Sequence, residues 1–354
     1  MLRKLLTLAT VAVAPFTFVS AQDSTKAPEP AKTTTITGSV DVYYRFNFAN
    51  AKSSLSTNNA TSFTNSHNSF ELGMASLKVA HSFGKIGAVV DLGFGSRAKE
   101  FSYNETGITQ AVKQAYVTYA PSDKVTFTMG KFGTHVGYEL LDPQLNRNYS
   151  MSYMFSYGPF SHTGLKMDVA VSKNFGFMLG VANPTDYISA PFEKKFILGQ
   201  LHFASNDSKF AAFVNYVGGK DTAKTSQNQF DLVATYKVSD KFSIGANGTI
   251  KYVKPDGGDN ESWSGAALYL NADPTEKVGI TLRGEIFNDK KNVTGYFGTN
   301  LYEATLTLNV KPMSGLIIMP ELRLDGAKDE YFVKHDGTGS KSTASFILAA
   351  VYSF

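Results

Sequence analysis

From Thr34 onward, apolar and polar residues alternate with a period of two. In Val40–Phe48 one face carries Val40, Val42, Tyr44, Phe46 and Phe48, and the other carries Asp41, Tyr43, Arg45 and Asn47. A β-strand puts these on opposite sides. The same alternation recurs at 86–94, 125–129, 165–171, 230–238, 242–250, 278–286, 302–310 and 316–324. Less regular runs occupy 70–83, 112–119, 175–181, 196–203, 210–217 and 263–270. With the terminal run Phe346–Phe354 this makes about sixteen strands, an even number. The run 70–83 changes phase near Ala75-Ser76, as a β-bulge would cause.

The connections alternate in length along the whole chain. Short ones fall at 84–85, 121–124, 172–174, 204–208, 239–240, 273–276 and 311–315. Long polar ones fall at 49–69, 95–109, 133–164, 183–195, 218–228, 252–262, 288–300 and 325–341. That sorting predicts an all-β fold: a transmembrane up-and-down antiparallel barrel with short periplasmic turns and long external loops. A Greek-key sandwich has no reason to sort its loops this way. Aromatics add to the pattern. Phe83, Tyr119, Phe175, Phe203, Phe210, Tyr236, Phe242 and Phe354 adjoin short turns, while Phe48, Phe94, Trp263, Phe287 and Tyr302 adjoin long loops. Two girdles are expected where a barrel meets lipid headgroups.

Export is read from the first residues. Arg3 and Lys4 precede an apolar run, Leu5 to Val19, and the small-residue site Val19-Ser20-Ala21. Residues 1–21 therefore read as a secretory signal peptide, too short to span a bilayer. Residues 22–33 read as a flexible periplasmic lead-in and 34–354 as the barrel, with both termini periplasmic. No later apolar run is long enough for a spanning helix. The chain has no Cys, which excludes disulfides, cysteine nucleophiles and zinc–thiolate sites. Without Arg3 and Lys4 there remain 32 basic against 30 acidic residues. So small a surplus argues against a nucleic-acid or polyanion partner.

A barrel of about sixteen strands encloses water, so its apolar faces point to lipid and its polar faces inward. The inward charges expected to line the lumen are Asp41, Arg45, Asp91, Lys166, Asp168, Asp231, Lys237, Arg283, Glu285, Glu303, Glu321, Arg323 and Asp325, a net charge of −3. Counted from their turns, Arg283 and Glu285 lie at the depth of Glu321 and Arg323, with Glu303 between them. Asp41 and Arg45 extend that patch across the barrel closure. Opposed charges on one wall impose a transverse field on ions and dipolar solutes; a salt-bridge network that only solvates the wall is the equal alternative. The connection 133–164 is too apolar around Tyr149–Tyr157 for a freely solvated loop. It either folds inward and narrows the lumen or forms an ordered external cap. If inward, Tyr138, Glu139, Asn146, Arg147, Asn148 and Tyr149 are the candidate constriction residues. Ile347, Ala349 and Val351 make the inner face of the last strand apolar, which requires a cover. Tyr352 and Phe354 form the terminal aromatic signal expected to be read by the barrel-assembly machinery.

The motifs Lys113-Gln114-Ala115-Tyr116-Val117, Met129-Gly130-Lys131-Phe132-Gly133, Gly137-Tyr138-Glu139, Asn148-Tyr149-Ser150, His162-Thr163-Gly164, Leu282-Arg283-Gly284-Glu285 and Pro320-Glu321-Leu322-Arg323-Leu324-Asp325 occur in this order. Together they resemble the OmpL-like outer-membrane β-barrel porins, over nearly all of the mature chain. The resemblance implies a pore in the outer membrane of a Gram-negative bacterium and lends no solute. No catalytic constellation supports an enzyme. The six His have no metal-ligand spacing. Gly218-Gly219-Lys220-Asp221-Thr222 lacks the glycine spacing of a phosphate loop. No cofactor or metal is expected. The expected partners are outer-membrane lipid and lipopolysaccharide, the assembly machinery through the C-terminal strand, and small hydrophilic solutes; a homotrimer is one assembly that such porins adopt. Passive or weakly selective diffusion of small hydrophilic solutes is the leading expectation. A closed barrel whose long loops bind partners is the alternative.

Overall fold

A computed structural model describes residues 32–52 and 56–354. The expected signal peptide and all but the last two residues of the lead-in lie outside the described residues. The strands are β1 (Lys32–Asn47), β2 (Ser69–Phe83), β3 (Ile86–Phe94), β4 (Val112–Ser122), β5 (Val125–Gly133), β6 (Ser161–Ala170), β7 (Phe175–Ala182), β8 (Phe196–Ala204) and β9 (Phe210–Lys220). They continue as β10 (Ser226–Lys237), β11 (Phe242–Lys254), β12 (Glu261–Ala272), β13 (Val278–Asn288), β14 (Asn300–Met313), β15 (Leu316–Ala327), β16 (Phe332–Val333), β17 (Gly339–Ser340) and β18 (Ser342–Ser353). Two short helices, α1 (Ser96–Phe101) and α2 (Tyr153–Tyr157), lie in long connections.

Each of β1 to β15 pairs antiparallel with its sequence neighbour, and β18 joins β15 to β1 to close a 16-stranded barrel. β16 and β17 form a separate hairpin within the last long loop. At the seam Ser39 faces Ser353 and Asn47 faces Ser345. Phe354 completes the ladder: its N–H donates to Gly38 O (3.0 Å) and its carbonyl accepts from Gly38 N (3.1 Å). β1 begins at Lys32, so Lys32 and Thr33, assigned to the lead-in from sequence, are barrel residues.

The strands form where period-two alternation predicted them because both faces have a partner phase. Outward positions such as Val40, Val42, Leu282, Leu306 and Leu324 are exposed and apolar; inward positions such as Asp41, Arg283, Thr305 and Glu321 are buried. The long and short connections alternate except where β9 and β10 run on until only 221–225 separates them, no longer than the 205–209 connection before β9. No helix among the described residues is long and apolar enough to cross a membrane. The bulge of β2 lies at Gly73, where the register passes from Asp41–Met74 to Val42–Leu72. That is two residues before the phase change seen in the sequence.

The outer ring of aromatics also differs in part. Phe83, Tyr119, Phe203, Phe354, Phe48, Phe94 and Tyr302 are exposed as expected, but Trp263 and Phe287 are only 2% and 1% exposed. Phe287 shares the parity of Arg283 and Glu285 on β13, and Trp263 that of Ala267 and Tyr269 on β12. Strand parity, not nearness to a loop, decides which side a ring faces.

Candidate functional site

The charged wall is built by parity and register. Glu285, Glu303 and Asp325 stand level across β13, β14 and β15. One row nearer the short turns lie Arg283, Thr305, Arg323 and Ser345. The next row holds Thr281, Thr307, Glu321, Ile347 and Arg45. The two Arg of β13 and β15 are therefore level with one another, under a row of acids. Counting residues from turns gave the two strands a shared depth, and the register adds which residues stand level. All these charges are buried. Removing such groups from water costs several kcal/mol each unless they are paired. Part of the pairing comes from the wall itself, part from the connection 134–160, which folds inward, and that of Arg45 from carbonyls of the first long connection.

That connection leaves β5 at Gly133, and Thr134 N–H donates to Phe160 O across its neck (3.0 Å). On the way down, Gly137 N–H donates to Asp231 (3.0 Å) and Tyr138 stacks on Tyr269 with ring centres 4.0 Å apart. Glu139 accepts from Arg283 at 2.5 Å. Asn146 braces the tip by bonding the N–H (2.9 Å) and the carbonyl of Leu140. Arg147 forks onto Asp273 at 2.7 and 3.1 Å and donates to Thr281 (2.9 Å). Asp273 lies in the short connection between β12 and β13, so the tip reaches that end of the barrel.

The chain then climbs the charged wall. Asn148 donates to Thr307 (2.7 Å), and the N–H groups of Tyr149 and Ser150 donate to Glu321 (2.8 and 3.1 Å). Arg283 donates to Ser150 O (2.7 Å) and Arg323 to Met151 O (2.6 Å). Ser152 N–H donates to Glu139 (2.8 Å); those of Tyr153 and Met154 donate to Glu285 (2.7 and 2.8 Å). Glu285 thus meets free N–H groups at the start of α2, where an anion is favoured. The hydroxyls of Tyr149 and Tyr153 donate to Asp41 (2.5 Å) and Asp325 (2.6 Å). The Tyr149 ring covers Ile347, Ala349 and Val351, together with Tyr43 and Met319. The apolar inner face of β18 therefore has its cover.

The other charges expected in the lumen lie apart from this wall. Asp231 accepts from Asn215, Asn247 and Gly137. Asp91 pairs with Lys113 (3.0 Å), which also reaches Asp142 in the infolded connection (2.5 Å). Lys166 and Asp168 pair with each other (3.0 Å) and are half-buried; Lys237 pairs with Asp240 at a short turn (2.6 Å). The sequence placed these three on the inward face without a depth, because parity gives the side of a sheet and not the height along the strand.

Two cations of the site were not singled out from sequence. Arg97 of α1 lies over the rings of Phe63 and Tyr149, 5.0 and 4.9 Å from their centres, and 4.0 Å from Asp41. It sits in a connection, where no alternation marks an inward face. Lys113 lies at a register shift in which Asp91 faces Gln114 and Leu92 faces Val112. It therefore points inward although Val117, of the same parity, points out.

Burial also acts on groups of the connections. Tyr149 is held well above the usual phenol range by burial, and His135 is pushed down to about 4 by burial. Asp186 is pushed up to about 6 by burial, against hydrogen bonds from Ser161, Phe160 and Tyr103.

The profile of the family described as "Putative beta-barrel porin-2, OmpL-like" matches residues 33–354. The chain belongs to this family. Among solved structures, this OmpL-like barrel is similar to an anion-selective porin from Comamonas acidovorans, with a TM-score of 0.64 and 11% identity over 92% of this chain and 100% of that one. It is similar to the outer membrane channel DcaP of Acinetobacter baumannii, with a TM-score of 0.62 and 13% identity over 91% and 97% of the two chains. The trimer form of OmpT of Vibrio cholerae gives a TM-score of 0.60 and 12% identity over 92% and 100%. These likenesses show the fold. No curated protein matches the sequence.

Proposed function

We propose that the protein is an outer-membrane porin for passive, weakly selective diffusion of small hydrophilic solutes, and that the infolded connection 134–160 sets what passes. Charges of both signs on one wall, tied to a segment that crosses the barrel interior, carry this reading. Such a wall gives a passing solute a transverse field and a narrow path. The short turns and both termini lie on the periplasmic side in this reading. Tyr352 and Phe354 are then presented to the assembly machinery, and the long loops meet lipopolysaccharide. A homotrimer fits the trimer form of the similar OmpT.

A second reading has one observation in its favour. Arg283, Tyr149 and Met151 are fully buried, so the wall is covered in this conformation. A closed barrel whose outer loops bind partners would look like this. Reconstitution in planar bilayers separates the two. Conductance steps from folded protein, enlarged when residues 141–157 are replaced by a short linker, support the porin. Absence of steps from both forms refutes it.

A further inference from the structure

The wall treats residues 148–154 as it would treat a bound peptide. Most of the charge-assisted contacts go to the backbone: Glu321 to two N–H groups, Glu285 to two more, Arg283 and Arg323 to two carbonyls. None of these six bonds depends on which side chain the segment carries. Alternate side chains enter three separate apolar pockets. Tyr149 enters the one formed by Tyr43, Met319 and the inner face of β18. Met151 packs with Phe63, Phe101 and Phe155. Tyr153 packs with Trp263, Phe287 and Leu301. The segment bends at 147–150 and enters α2 at Tyr153, so the wall holds a short curved peptide by the two elements of peptide recognition, main-chain hydrogen bonds and separate side-chain pockets. Arg45, on the same wall, repeats the chemistry on another connection, donating to the carbonyls of Thr57 (2.9 Å), Asn58 (3.0 Å) and Ser66 (2.8 Å).

We propose that this wall is a binding site for short curved peptides with apolar side chains at alternate positions, occupied in the resting protein by residues 148–154 as a tethered competitor. The proposal rests on the porin reading and names its solute class. Mixed charge suits it: carboxylates receive N–H groups and guanidinium groups receive carbonyls, with roughly doubled strength compared with neutral pairs. A sugar offers hydroxyls but no such alternation. The tether sets the difficulty for a free solute, since a linked segment competes at an effective concentration in the millimolar range. A peptide therefore enters readily only when the segment is loosened.

The test uses the full mature chain in detergent micelles and a labelled, capped peptide of this chain's own residues 148–153, followed by anisotropy. The controls are the same peptide N-methylated at Ser150 and Tyr153, whose N–H groups face Glu321 and Glu285, and maltotriose as an unlabelled competitor. Tyr149→Ala/Tyr153→Ala weakens the competitor by removing its two rings and their hydroxyl bonds to Asp41 and Asp325, and keeps Glu285, Glu321, Arg283 and Arg323, the groups that hold the backbone. The chain has a single Trp; Trp263 shares a cluster with Tyr153, so its emission reports release of the segment. In the variant, Trp263 emission shifts to the red and the peptide binds about tenfold or more tighter, since each lost bond to a charged group is worth about a factor of ten. N-methylation removes that gain, and maltotriose does not compete. Should the double variant fail to fold, Tyr149→Phe loses one hydroxyl only and serves in its place. Equal binding of the parent and N-methylated peptides, or no peptide binding once Trp263 has become exposed, overturns the proposal. Because binding is read in micelles, it stands or falls independently of conductance, which alone tests the porin reading.

Discussion

Arg283→Ala is the sharpest perturbation of the wall. The guanidinium holds Glu139 at 2.5 Å, Glu303 at 2.6 Å and the Ser150 carbonyl at 2.7 Å, and it is fully buried. Its loss leaves two carboxylates facing each other without their cation. Breaking a buried pair in this way costs about 3–5 kcal/mol. The same loss shifts docking of the 134–160 connection by roughly two to four orders of magnitude. Part of the strain is relieved by release of Glu139 into water, which withdraws the segment from the wall. The wall itself keeps Asp41, Glu285, Glu303, Glu321 and Asp325 against Arg45 and Arg323 alone. In planar bilayers the variant should conduct more than the parent, and its reversal potential in a salt gradient should move toward cation preference. Arg283→Lys keeps the charge but not the two-pronged donor, so it should restore the reversal potential without restoring the parent conductance. A folded Arg283→Ala barrel with unchanged conductance and unchanged reversal potential would refute the argument.

Four further outcomes are expected. Gly73→Ala should loosen the same connection, because a Cβ at the bulge collides with the Asp41 carboxylate and comes within 2.7 Å of the Tyr149 hydroxyl; protease cleavage within 134–160 should rise. Gly130→Ala should lower the temperature at which the barrel loses its compact gel mobility, since Gly130 has a φ of +134° and its Cβ would press on the Ala115 carbonyl. Acid should act oppositely on two connections, read by hydrogen exchange at each. His135, held neutral with a value near 4 against 6.5 when free, adds stability that is lost as pH falls from 6.5 toward 4, so the neck of 134–160 should exchange faster. Asp186, raised from 3.8 to about 6, costs stability as pH rises through that window, so the connection 183–195 should instead be protected by acid. Deleting Phe354 removes both of its ladder bonds to Gly38 and should reduce the yield of assembled barrel in outer-membrane fractions; an unchanged yield would count against its assembly role.

The barrel was legible because alternation and loop length are written locally. Each strand carries its own two faces, and pairing sequence neighbours requires no further information. The apolar face of Ile347, Ala349 and Val351 even announced that something must cover it. What covers it was only half legible. The composition of 133–164 marked it as the candidate, but Tyr149 meets Asp41 across 108 residues of sequence, a contact that no local pattern encodes. Its last residues were also misassigned: Ser161–Gly164 belong to β6. Depth was the weakest quantity. Parity alone gave no height for Lys166, Asp168 and Lys237, and it is the pairing register that sets Arg283 level with Arg323. Lys113 and Arg97 escaped notice for the complementary reason, one at a register shift and the other on a helix in a loop.

The seam between β18 and β1 closes over a tyrosine ring and not over water. Tyr149 touches Tyr43 on one side of the seam and Ile347, Ala349 and Val351 on the other. Zipping Ser39–Asn47 onto Ser345–Ser353 brings together segments from the two ends of the chain, the slowest kind of contact to form. If the middle of the chain is already in place when they meet, the ring acts as a mandrel on which the two edges are wrapped. The connection that narrows the finished barrel is then also a tool of its construction, and a defect in it should appear first as a failure to close.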